Sequence, residues 1–211
     1  MSTGKILSES VDSGIGAVTR RFWWPVYAEF RDYGHASETS LHLCHSVILL
    51  DTSRIIKGLR CPGSRGRLRC WVEDRTREVI RTQEHPEAGG VPFPVSPEDA
   101  EARDPLRWAT RDSGLPRFQQ RWAHVLLETA LERLLAHSTD PVHQLELEGL
   151  LAHLDQPVSS NPVDDFQGWI QTPQILSFKQ RFWHELRRAV DETLMEAQNL
   201  EVELLELFPP R

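Results

Sequence analysis

Cysteine is scarce: three in 211 residues, an odd count in a chain large enough to need no staples, and that disfavours a disulfide framework. Lysine is nearly missing, with three against 21 arginines. Long apolar runs are missing too. The longest unbroken aliphatic stretch, Val47 to Leu50, is far too short to span a bilayer. No basic-then-apolar leader opens the chain, so no secretory signal is expected. Net positive charge is absent: the formal charge is −7, which argues against a dedicated duplex-DNA binder. Together these point to an intracellular protein of the cytosol or an organelle interior, with peripheral membrane contact allowed.

What is present is enough to fold. Hydrophobic residues make up 39 % and charged residues 26 %, above the range of disordered chains. Surface scaling lets a chain of this size bury about 70 % of its unfolded surface. The charge is unevenly spread. Residues 1–105 carry 14 basic and 15 acidic side chains, whereas residues 106–211 carry 10 and 16. Arg54, Lys57, Arg60, Arg65, Arg67 and Arg69 fall in an acid-free stretch. Asp191, Glu192, Glu196, Glu201, Glu203 and Glu206 fall in a base-free one.

Along the chain the pattern is mainly helical. A helix is expected from about Gly16 to Tyr33, kinked or restarted by Pro25 and ended by Gly34. Ser37 is placed as the cap of a second helix. Its apolar spacing through Leu41, Cys44, Ile48 and Ile55 runs on to Gly58. Leu68, Cys70 and Val72 alternate with polar or bulky neighbours, which predicts a small β-hairpin near residues 67–82. Residues 83–105 are rich in proline and glycine and read as a linker, with a short helix at Ser96-Pro97-Glu98-Asp99. Residues 106–211 then form a helical region. It comprises a helix over Phe118–His137, one from Asp140-Pro141 to Leu154, a linker over Gln156–Asn161, and a last helix from Thr172-Pro173 to about Leu207. The expected fold class is mainly α, a helical bundle with two related units in the C-terminal half.

The relation is an internal repeat at an offset of 60. Phe118 to Leu126 aligns with Phe178 to Leu186, with five of nine positions identical. The bland alternative is that amphipathic helices rich in aromatics resemble one another. Repeated helical units bury a face against a neighbour, which favours an interaction protein over an enzyme.

Candidate sites follow from residue type. Phe22, Trp23, Trp24 and Tyr27 form the densest aromatic cluster, and Trp and Tyr are common at protein interfaces. Trp183, Leu200 and Leu204 lie on a heptad-like seam of the last helix with acids around it. These seven residues are assigned to partner binding. Arg60, Arg65, Arg67 and Arg69 are assigned to anion binding, with RNA or anionic phospholipid as the chemistry they suit. The bland reading pairs those arginines with the chain's own acids. Cys44, His45, Cys61 and Cys70 have poor zinc spacing, and no nucleophile motif is present, so no metal, cofactor or catalytic residue is assigned. The expectation is a non-catalytic helical accessory subunit or adaptor bound to other protein subunits. The alternative is an RNA- or phosphate-binding module centred on residues 54–71.

Overall fold

The computed structural model describes residues 18–48, 52–60, 66–82, 95–103, 116–137, 176–195 and 199–208. Of these, 85 % are helical, and no strand occurs among the described residues. The elements are α1 (Trp23–Asp32), α2 (Ser37–Ile48), α3 (Thr52–Leu59), α4 (Leu68–Thr82), α5 (Pro97–Ala102), α6 (Arg117–His137), α7 (Leu176–Asp191) and α8 (Leu200–Leu207). The chain divides into two compact units. One comprises Met1–Ala102 with Glu192–Asn199, and the other Arg103–Asp191 with Leu200–Arg211. The helix expected over Asp140–Leu154 and the linker over Gln156–Asn161 lie outside the described residues.

In the first unit the chain is helical at 18–21, breaks at Phe22 (φ −93, ψ 22) and restarts as α1. Pro25 is the third residue of α1, so its missing N–H falls in the first turn, where amides have no intrahelical acceptor. Proline therefore restarts the helix rather than bending it. At the other end Gly34 takes φ +93. Its N–H reaches the Arg31 carbonyl at 3.0 Å, and the His35 N–H reaches that of Phe30 at 3.2 Å. This is a Schellman cap, closed by the Phe30 and His35 rings at 5.9 Å.

Two expectations about this segment are corrected here. Ser37 does not cap α2: Ala36 does, accepting the Ser40 N–H at 2.8 Å, and the Ser37 hydroxyl bonds Tyr27 instead. The helix expected to stop at Gly58 is described as α2 and α3, with residues 49–51 outside the described residues, and Gly58 lies inside α3 rather than beyond its end. The reason is close approach. A Cβ on Gly58 would stand 1.8 Å from Trp71 Nε1, so only glycine lets the α4 indole lie against α3.

The hairpin over 67–82 is replaced by helix α4. The period-two pattern spans only Leu68 to Val72. Over the full segment Leu68, Val72, Thr76 and Val79 are buried together, which is the helical period. Glu73–Arg77 and Arg75–Glu78 ion pairs at i,i+4 and i,i+3 add to it. The unit's interior holds Trp24, Val26, Tyr27 and Phe30 from α1, with Leu43, Cys44 and Val47 from α2, Ile55 from α3 and Leu68 and Val72 from α4. Each large apolar side chain buried this way contributes roughly 1.5–3 kcal/mol against solvent.

The last helix is also shorter than expected. It ends at Asp191, and α8 begins at Leu200. The backbone between them is committed elsewhere. Leu68 N–H donates to the Thr193 carbonyl, and Met195 N–H donates to that of Gly66, both at 2.9 Å. These two bonds form an isolated antiparallel bridge between Arg67 and Leu194. Gly66 supplies φ +70 for it, a conformation that costs other residues roughly 1–2 kcal/mol. Residues 193 and 195 therefore cannot continue the helical ladder.

In the second unit α6 is buried without interruption from Gln120 to Leu131, as a central helix is. It packs against α7 and α8. Helix α7 is one-sided: Phe182, Leu186, Ala189 and Val190 are buried, and Gln180, Arg181, His184, Arg187, Arg188 and Asp191 face solvent.

Candidate functional site

The aromatic cluster of α1 belongs to the interior. Trp24, Tyr27 and Phe22 are 0 %, 1 % and 2 % exposed, and Trp23 is half-buried with its ring 6.2 Å from Tyr27. The Cys44 thiol donates to the Trp23 carbonyl at 3.1 Å. Tyr27 carries a polar network at its far end. Its hydroxyl donates to Glu101 Oε1 at 2.6 Å and shares a hydrogen bond with Ser37 Oγ at 2.8 Å. Arg31 closes the network, bonding Glu101 and the His35 carbonyl. Burial first, then the bond to Glu101, pushes the Tyr27 phenol up to about 12. One phenol, one carboxylate and one guanidinium thus join α1 to α5, while Ser37 brings in α2. Sequence reasoning found the aromatics but had no signal for this network, because its members are separated by up to 74 residues.

The arginine set is dispersed. Arg60 is exposed at the end of α3, whereas Arg67 and Arg69 are 4 % and 2 % exposed. Arg65 lies outside the described residues. Cys44 is fully buried and burial pushes its thiol up. Cys70 is half-buried, and Cys61 lies outside the described residues. Among the described residues no three histidine, cysteine or carboxylate side chains come together as metal ligands would.

The repeat segments share helical structure and differ in environment. Trp122 and Phe182 are both 0 % exposed, and Leu126 and Leu186 are both buried. Arg121 and His124 are buried, but their counterparts Arg181 and His184 are exposed. Within α6, His124 Nε2 lies 3.4 Å from Glu128 Oε1, and Arg103 donates to Glu128 Oε2 at 2.6 Å. Burial alone would raise the Glu128 carboxyl, but His124 and Arg103 together hold it below its ordinary range. This cluster balances a buried carboxylate with two basic side chains.

The surface of the second unit carries a different feature. Among the described residues of this unit, Trp183, Val202 and Leu205 are the exposed large hydrophobics, at 39 %, 44 % and 58 %. They lie on the two helices that one ion pair, Arg187 with Glu201, bridges. Trp183 is one turn before Arg187, Val202 follows Glu201, and Leu205 is one turn after it. Leu204, expected at a partner surface, is buried beside Glu203 and Leu207, and Leu200 is half-buried. The inward stripe of α8 is therefore Glu203, Leu204 and Leu207, and Val202 and Leu205 occupy the opposite side. The signal was available in composition. Five of the eight residues of Leu-Glu-Val-Glu-Leu-Leu-Glu-Leu are apolar, more than one face of a short helix needs. An exposed apolar cluster rimmed by charge is the usual mark of a protein contact surface.

The chain matches no protein-family model, no curated protein and no solved structure.

Proposed function

We propose that this chain is a non-catalytic α-helical accessory subunit or adaptor that binds other proteins within a larger assembly. The observation that carries the reading is the exposed apolar group Trp183, Val202 and Leu205 on the two helices that the Arg187–Glu201 pair joins. Of the seven residues assigned to partner binding from sequence, Trp183 alone among the large aromatics is substantially exposed, while Phe22, Trp24 and Tyr27 serve the core. Helices α6 and α7 are read as two related helical units. Their aligned Trp122 and Phe182 fill interior positions, and the exposed Trp183 of α7 stands where α6 has the buried Ala123. One copy serves as the inner helix and the other as the presenting one. The residues around the site are packing and ion-pairing groups, which is why the reading is an interaction protein. Among the described residues no helix is long and apolar enough to cross a membrane, and an intracellular location is part of the proposal.

The test is native mass spectrometry of the untagged chain isolated from its source. The proposal expects a stoichiometric complex with other protein subunits. Trp183→Ala and Leu205→Gln, both surface changes, should each release the chain while helicity stays unchanged. A chain isolated as a clean 24.3 kDa monomer, or a complex indifferent to both substitutions, contradicts it.

A further inference from the structure

Thr193 and Met195 are held off the helix by bonds that the local sequence does not call for. Residues 192–199 read Glu-Thr-Leu-Met-Glu-Ala-Gln-Asn. Six of these eight are strong helix formers, and neither glycine nor proline is among them. The apolar register also runs through the break. Leu186 and Val190 before it continue at alternating steps of four and three to Thr193, Ala197, Leu200 and Leu204, with Thr193 the one polar member. That is the heptad pattern of a single helix. A connector that is not helical has no phase to keep, so it places no demand on this register.

What breaks the helix belongs to the first unit. The Leu68 and Met195 amides bond the Thr193 and Gly66 carbonyls, and Gly66 stands at φ +70 to allow it. Arg21 pairs with Glu192 at 3.2 Å, with side chains 45 % and 29 % exposed. Residues 192–199 are grouped with that unit, and α7 and α8 with the other. We infer that residues 192–195 are a two-state strap. Bridged to residues 66–68, they break the helix. Released, they join α7 to α8 as one helix from Leu176 to Leu207. Release costs the Arg187–Glu201 pair, because those residues stand about 21 Å apart along a continuous helix. It also costs Leu204 and Leu207 their interior places. The bridged state is therefore the resting one. An arrangement that trades tertiary bonds for helical ones is shifted by a change at either set. The switch needs no partner on Trp183 or Leu205.

The test is a spin-label distance measurement on the purified full chain, with labels at the exposed positions 184 and 205. Attachment through non-natural residues leaves the native cysteines in place. In one continuous helix the two positions stand about 31 Å apart. In the bridged state the Arg187–Glu201 pair, one turn from each, holds them closer. Gly66→Val strains the bridge and leaves residues 176–207 untouched, so it should raise the ratio of long to short distances by about tenfold. Arg21→Glu, at an exposed pair, should raise it by about twofold. Adding Leu194→Pro to Gly66→Val should abolish the long peak, since proline bars an unbroken helix there. A folded Gly66→Val chain that keeps the short distance overturns the inference. So does a broad distribution with no peak near the helical value, which is a frayed connector, or a long peak that survives Leu194→Pro. Should Gly66→Val fail to fold, Arg21→Glu decides alone, and an unchanged distribution there overturns the inference as well.

Discussion

Single residues set two of the tightest constraints. Gly58 is the first. Alanine normally improves a helix position by up to about 1 kcal/mol over glycine, but here its Cβ would enter the Trp71 indole. Overpacking of that kind costs typically 1–3 kcal/mol, so Gly58→Ala should lower the melting temperature. Adding Trp71→Leu should recover part of the loss, and a double variant no better than the single would show that the contact is not the cause. Tyr27 is the second. Its phenol is neutral in the folded state and held up to about 12 against an ordinary 10. A group whose folded value is raised contributes full stability below its unfolded value and loses it as pH rises through the folded one. The Tyr27 contribution should therefore be intact below pH 10 and vanish between pH 10 and about 12. In a Tyr33→Phe background, phenolate absorbance should report that late ionisation. Ionisation at the ordinary value would remove the Tyr27–Glu101 network from the account.

Elements show what the sequence revealed and what it concealed. The helical period exposed α6 and α7, and Gly34 and Ser96 marked ends that the structure reproduces: Ser96 Oγ accepts the Asp99 N–H at 3.1 Å, a capping contact. The failures have one origin. Alternation over five residues imitated a strand at Leu68–Val72, and only the longer window with its i,i+4 ion pairs reveals α4. Helix-compatible residues after Asp191 concealed a break that comes from pairing with residues 66–68, more than a hundred positions away in sequence. No local signal carries that. The break predicts a specific sensitivity. A Cβ on Gly66 meets Asn199 and Met195 at an ordinary 3.6 Å, but the φ of +70 remains unfavourable for it. Gly66→Ala should cost roughly 1–2 kcal/mol and speed hydrogen exchange at the Leu68 and Met195 amides. Unchanged protection at both amides would show that the bridge does not depend on that conformation.

At the scale of the whole molecule, the same residue types divide between interior and surface in a way composition does not disclose. Aromatics of α1 and the arginines Arg67 and Arg69, both candidates for contact with partners, are buried: Trp24 is 0 % and Arg69 2 % exposed. Among the described residues of the second unit, the large hydrophobics left exposed are Trp183, Val202 and Leu205, on the two helices that the Arg187–Glu201 pair joins. The central claim is that this surface is occupied by protein. A photo-reactive residue placed at position 205, and separately at the exposed Glu38 of α2 as a control, tests it directly in the native source. The account predicts protein adducts of discrete mass from position 205 and none from position 38. No adduct at 205, or equal adducts at both, would contradict it.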